Sequence, residues 1–68
     1  MNTTNNNQIA SFVKAAAVQA GFSADDAVKI GTIAARDTWR DVRKMLVAVG
    51  RIDAEPALVR AYRSATGA

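Results

Sequence analysis

Lys29, Arg36, Arg40, Arg43, Lys44 and Arg51 are spaced so that, wound at 3.6 residues per turn, all six fall within an arc of about 100°. Guanidinium and ammonium groups on one face suit phosphate. Arg offers a planar fork of donors to a phosphate and Lys a compact point charge. On nucleic acid each such contact displaces counterions and makes affinity depend on salt. Arg36, Arg40, Arg43, Lys44 and Arg51 are therefore the candidate nucleic-acid-binding residues. A solvated helix face has the same composition, and Asp37 and Asp41 stand one turn from Arg40, or from Arg36 and Lys44, close enough to neutralise part of the stripe.

Catalytic chemistry is poorly provided for. The chain has no His and no Cys to serve as base or nucleophile near neutral pH, no glycine-rich phosphate loop and no cluster of metal-ligand type. Asp25 and Asp26 resemble an acid/base pair only in sequence, because adjacent helical residues point about 100° apart. Negative charge at a helix N-terminus explains both. The sequence thus predicts a non-enzymatic protein with no cofactor, no bound metal and no small-molecule substrate.

The excess charge is one-sided. Of 9 basic and 6 acidic residues, only Lys14, Lys29, Asp25 and Asp26 precede Arg36, so the whole net charge of +3 lies in the second half. Half of the 68 residues are hydrophobic, Ala the commonest among them, with two Phe, one Trp and one Tyr. That composition favours closely packed helices over a sheet and predicts an all-α domain. A chain of this size buries at most about 60% of its unfolded surface, and small domains commonly add disulfides, a metal or a second subunit. Without Cys, self-association or a protein partner is favoured. Met1 to Gln8 has neither the basic nor the apolar region of a signal peptide, and no apolar run nears the roughly 20 residues of a membrane helix. A soluble cytoplasmic protein with no membrane partner is expected.

The elements follow from periodicity and punctuation. Residues 1–7 read as a disordered polar arm with Asn7 a candidate N-cap, ahead of a single helical domain over 8–68. Ile9, Phe12, Val13, Ala16, Ala17 and Ala20 mark one face of a helix over about 8–20. Gly21 can end that helix in the left-handed conformation, Phe22 can fold back on it, and Ser23 with Asp26 three residues later approximates a capping box for the next. From 24 to 49 two parses fit. One is a continuous helix of roughly 39 Å with a heptad seam of Val28, Thr32, Ala35, Trp39, Val42, Leu46 and Val49. The other breaks near 36–38, with Thr38 as N-cap and Asp41 three residues on. Ile30, Ile33 and Val47 lie off the seam, which calls for such a break or for a second chain covering them. A last helix over 54–66 carries Leu58, Ala61, Tyr62 and Ala65, tolerates Pro56 in its first turn and ends at Gly67. The short Gly50–Ile52 linker predicts that it folds back antiparallel on the helix before it.

Residues 16–31, Ala-Ala-Val-Gln-Ala-Gly-Phe-Ser-Ala-Asp-Asp-Ala-Val-Lys-Ile-Gly, resemble the helix-turn-helix of phage small terminase subunits. The resemblance implies DNA recognition during genome packaging, ring-forming oligomers and a DNA-facing helix after Ser23. The residues alone also suggest helix-turn-helix character, two helices set steeply across a three-residue turn. DNA is thus the expected partner. The rival is a small interaction module, an inhibitor, adaptor or assembly subunit, using Trp39, Val42, Leu46 and Val49 as its partner interface. Trp39, at the border of seam and basic arc, suits core packing, an interface or base stacking.

Overall fold

The computed structural model describes residues 4–36 and 38–67. Helix α1 runs Thr4–Gln19, α2 Ala24–Arg36, α3 Trp39–Ala48 and α4 Glu55–Thr66, with a 3-10 turn at Ile52–Ala54 before α4. The described residues form four helices and one 3-10 turn with no strand, so the domain is all-α. No helix among them is long and apolar enough to cross a membrane.

α1 starts four residues before Gln8, and Asn7 lies inside it rather than capping it. Polar residues of moderate propensity can continue a helix whose later turns are anchored, and Ile9, Val13 and Ala17 anchor this one in the core. The first three residues of the expected arm lie outside the described residues. At the other end Gly21 takes φ 102°, the Phe22 N–H donates to the Ala17 carbonyl at 3.0 Å and the Gly21 N–H to that of Val18 at 3.0 Å. This pair of bonds is a Schellman ending, and it delivers Phe22 into the core. Ser23 then caps α2, its Oγ accepting from the Asp26 N–H at 3.2 Å.

The α1–α2 connection does not set its helices at a steep angle. Ala10 lies nine residues before the end of α1 and Gly31 seven after the start of α2, so a right-angled turn would hold them about 17 Å apart. They touch instead. A methyl group added at Gly31 would lie 2.6 Å from the Ala10 carbonyl oxygen. α1 and α2 form an αα-hairpin, packed backbone against backbone.

This close approach decides which face of α2 is buried. Ala27, Ile30, Gly31 and Ala34, at i, i+3, i+4 and i+7, face the core. The expected seam does not hold here: Val28 and Thr32 are exposed. Side chains of Ala and Gly let the helices meet where bulkier ones would separate them. Phe12, expected in the α1 core, is 42% exposed. Ala10 faces α2, and two residues along a helix turn about 200°, which carries Phe12 away from that contact.

The chain breaks between Arg36 and Trp39, so the continuous parse is excluded; Asp37 lies outside the described residues. Thr38 occupies the N-cap of α3 with extended backbone, yet its hydroxyl donates to the Asp41 carboxylate at 3.3 Å instead of accepting from a backbone N–H. The break removes the difficulty over Ile30, which is fully buried, and Ile33, which packs against the core. α3 ends like α1: Gly50 at φ 73°, the Arg51 N–H on the Leu46 carbonyl at 2.8 Å and the Gly50 N–H on that of Val47 at 3.1 Å.

α4 packs principally against α1 and not along α3. The 3-10 turn redirects the chain after α3 and buries Ala54. Neither Asp53 nor Glu55 caps α4, whose N-cap is Ala54, while Pro56 sits in the first turn and Gly67 ends the helix at φ 77°. Leu58 and Ala65 are buried, and Ala61 and Tyr62 pack beside them.

Gly31→Ala should destabilise the fold by about 1–3 kcal/mol, since α1 or α2 must shift to admit the methyl. Urea unfolding followed by circular dichroism measures it; an unchanged midpoint would mean that the backbones are not in contact there.

Candidate nucleic-acid interface

α3 has only ten residues and two opposed faces. Val42 and Leu46, both fully buried, fix its inner side to the core. That placement removes them from any partner interface, contrary to expectation. Arg40, Arg43, Lys44 and Val47, again at i, i+3, i+4 and i+7, are exposed on the outer side and together line a shallow concavity of about 300 Å³. Three of the five predicted cations are thereby brought together. Arg36 is exposed at the end of α2, across the break.

The start of α3 is tied to α4 through one carboxylate. Glu55 Oε2 accepts from Trp39 Nε1 at 3.0 Å and meets Arg43 Nε at 3.2 Å. The Trp39 ring rests on Tyr62, centroids 5.4 Å apart with the planes inclined by 54°. Both polar and apolar parts of the indole are thus engaged within the chain. Among the described residues the ion pairs are Arg43–Glu55 and Arg51–Asp53, so Asp41 does not neutralise Arg40 or Lys44 at bonding distance.

Arg51 belongs to the architecture and not to the basic face. Its Nη2 donates to the Ala20 carbonyl at 2.8 Å, and its guanidinium lies over the Phe22 ring, 4.8 Å from the centroid. These contacts clasp the end of α3 to the end of α1. Asp53 completes the clasp at 3.1 Å from Arg51 Nε, and that hydrogen bond holds the Asp53 carboxyl below its ordinary value of 3.8. A depressed carboxylate contributes its stabilisation above the ordinary value and loses it only as pH falls below, so the clasp is intact at neutral pH.

No protein-family model matches this chain, nor does any curated protein or solved structure. The stretch 16–31 spans the end of α1, the turn and the first half of α2, and the exposed side of α2 mixes Asp25 with Lys29 and Arg36. The outer side of α3 gathers three cations around Val47. Two further cations, Arg60 and Arg63, are not among the candidates drawn from the sequence. They are exposed on α4, where they line a concavity of about 520 Å³ with Glu55, Pro56, Val59 and Ser64. Their i, i+3 spacing is the available signal; their proximity to Arg43 depends on how α4 is placed.

Arg51→Ala should lower stability by about 1–2 kcal/mol through removal of a charged hydrogen bond and a cation–π interaction. Arg51→Lys should restore little of it, because an ammonium cannot span ring and carbonyl together. Thermal melts of the three proteins test this, and full stability of Arg51→Ala would return Arg51 to the set of free cations.

Proposed function

We propose that this chain is a small non-enzymatic, cytoplasmic protein that binds double-stranded DNA through its phosphates, with Arg40, Arg43 and Lys44 as the contacts. The observation that carries this reading is the outer face of α3, where these three residues and Val47 line one concavity, with Glu55 paired to Arg43 and Asp41 half-buried outside the lining. Arg36 supplements them from the end of α2. A duplex fits better than a single strand, because single-strand binding relies on aromatic platforms and the Trp39 and Tyr62 rings are packed against each other at a tilt. The same reading moves the DNA-facing role from α2, to which the terminase resemblance would give it, to α3.

A second reading, a protein-interaction module or homo-oligomer, has its own support. Val47, Val49 and Ile52 are 63%, 45% and 39% exposed around the end of α3. Of the four residues expected at a partner interface, Val49 alone has this character. Exposed apolar side chains such as Val47 on the outer face and Val49 at the C-cap suit contact with a second helix.

Anisotropy of a labelled mixed-sequence duplex separates the two. The wild type should bind at low salt and weaken steeply as salt rises. Replacing Arg40, Arg43 and Lys44 by Ala should flatten the dependence of log K on log salt by about 2 to 3, near 0.9 for each phosphate no longer neutralised. Equal affinity of the triple variant would defeat the assignment. Sedimentation of the protein alone tests the second reading: a species that survives high salt is expected of an apolar interface, and a monomer at all salts excludes self-association.

A further inference from the structure

The concavities on α3 and α4 adjoin. Glu55 forms part of the wall of the α4 concavity, and its Oε2 is bonded to Arg43, which lines the α3 concavity. The Arg43–Glu55 pair therefore links the concavity of Arg40, Arg43 and Lys44 to that of Arg60 and Arg63. Glu55 and Arg43 form an ion pair whose charges offset each other, so the excess positive charge of the two concavities comes from Arg40, Lys44, Arg60 and Arg63. Asp25 and Asp26 are in the first turn of α2 and Asp53 pairs with Arg51, while Asp41, which accepts from the Thr38 hydroxyl, keeps one negative charge on α3 outside the lining of either concavity.

We infer that the DNA-binding surface continues across Glu55 onto α4, with Arg60 and Arg63 as a second group of phosphate contacts. This inference rests on the reading that α3 binds DNA. Arg40 and Lys44 on α3 and Arg60 and Arg63 on α4, linked through the Arg43–Glu55 pair, spread positive charge over two helices, as contact with an extended polyanion requires. A single carboxylate or phosphate would be served by any one or two of them. Pro56 and Val59 provide an apolar floor beside Arg60 and Arg63, suited to the sugar edge between successive phosphates. The binding helices would then be α3 and α4, while the α1–α2 hairpin is their support.

The test compares the wild type, Arg60→Ala/Arg63→Ala and the Arg40/Arg43/Lys44 triple Ala variant for binding to one labelled mixed-sequence duplex over a salt series. Circular dichroism melts of each verify that it folds; Arg60 and Arg63 are exposed, so their replacement should leave the melt unchanged. With two fewer phosphates neutralised, the fall in affinity between about 50 and about 200 mM salt should become roughly tenfold smaller for the double variant. If the double variant keeps the wild-type affinity and salt slope while the triple variant loses both, the α4 extension is wrong and the α3 reading stands. If the wild type shows no binding at low salt, the α3 reading itself fails. Displacement of the duplex by polyglutamate at matched charge concentration would overturn nucleic acid as the partner of the combined surface.

Discussion

The fold depends on how closely α2 can lie on α1. Gly31 has no side chain to hold the helices apart, and its Cα stands over the backbone at Ala10, with Lys14 Cβ close by. Once the axes are this near, the faces in between must be small, which is why Ala17, Ala27 and Ala34 are buried while Val28 is left outside. The larger apolar groups then gather along the edge of the hairpin. Ile30, Val13, Leu46, Leu58 and Val42 are the largest fully buried side chains, drawn from all four helices. α4 closes the core against α1, and α3 contributes two residues to it from outside the hairpin. Interior packing at this density leaves little tolerance for an added methyl at the crossing.

A ten-residue helix in isolation is not stable in water, so α3 holds its shape through what binds it. Val42 and Leu46 seat it from below. At its start Trp39 lies against Tyr62 and donates to Glu55, and at its end Arg51 reaches back to Ala20. The cations on its outer face repel one another, and the Glu55 carboxylate beside Arg43 offsets part of that repulsion. At an exposed site such a pair is worth on the order of 0–1 kcal/mol, so its larger effect is to fix where the Arg43 side chain stands. The polar interactions of the domain are thus concentrated at the two ends of α3, where helix termini meet other elements.

Much of this is legible in local sequence. Gly21, Phe22 and Ser23 specify a helix end, a return into the core and a cap within three residues, and each does so in the structure. The break before Trp39 is one of two parses that local signals allow, and the Leu58 to Ala65 stripe is plain from its spacing. What escapes a local reading is long-range. A seam chosen by hydrophobicity selects Val28 and Thr32 over Ala27 and Gly31, because sequence pattern weighs the size of apolar groups and not the distance between helix axes. Val42 and Leu46 read as one face but as a partner's, since nothing local indicates that the chain itself returns to cover them. Helical phase groups Arg51 with the phosphate-binding cations. That phase ends at Gly50, where the chain leaves the helix and the angular relation no longer applies.

The Arg51 clasp joins two helix endings of identical design. In each, a glycine in the left-handed conformation is followed by a residue whose N–H closes the last turn: Phe22 for α1 and Arg51 for α3. The same Arg51 whose backbone closes α3 covers the Phe22 ring and bonds to Ala20 at the end of α1. Helix ends ordinarily fray independently and exchange their amide protons fastest. Here neither end can open without loosening the guanidinium that holds the other. The Phe22 and Arg51 amides, far apart in the chain, should therefore open together and exchange with solvent more slowly than those of independently fraying ends.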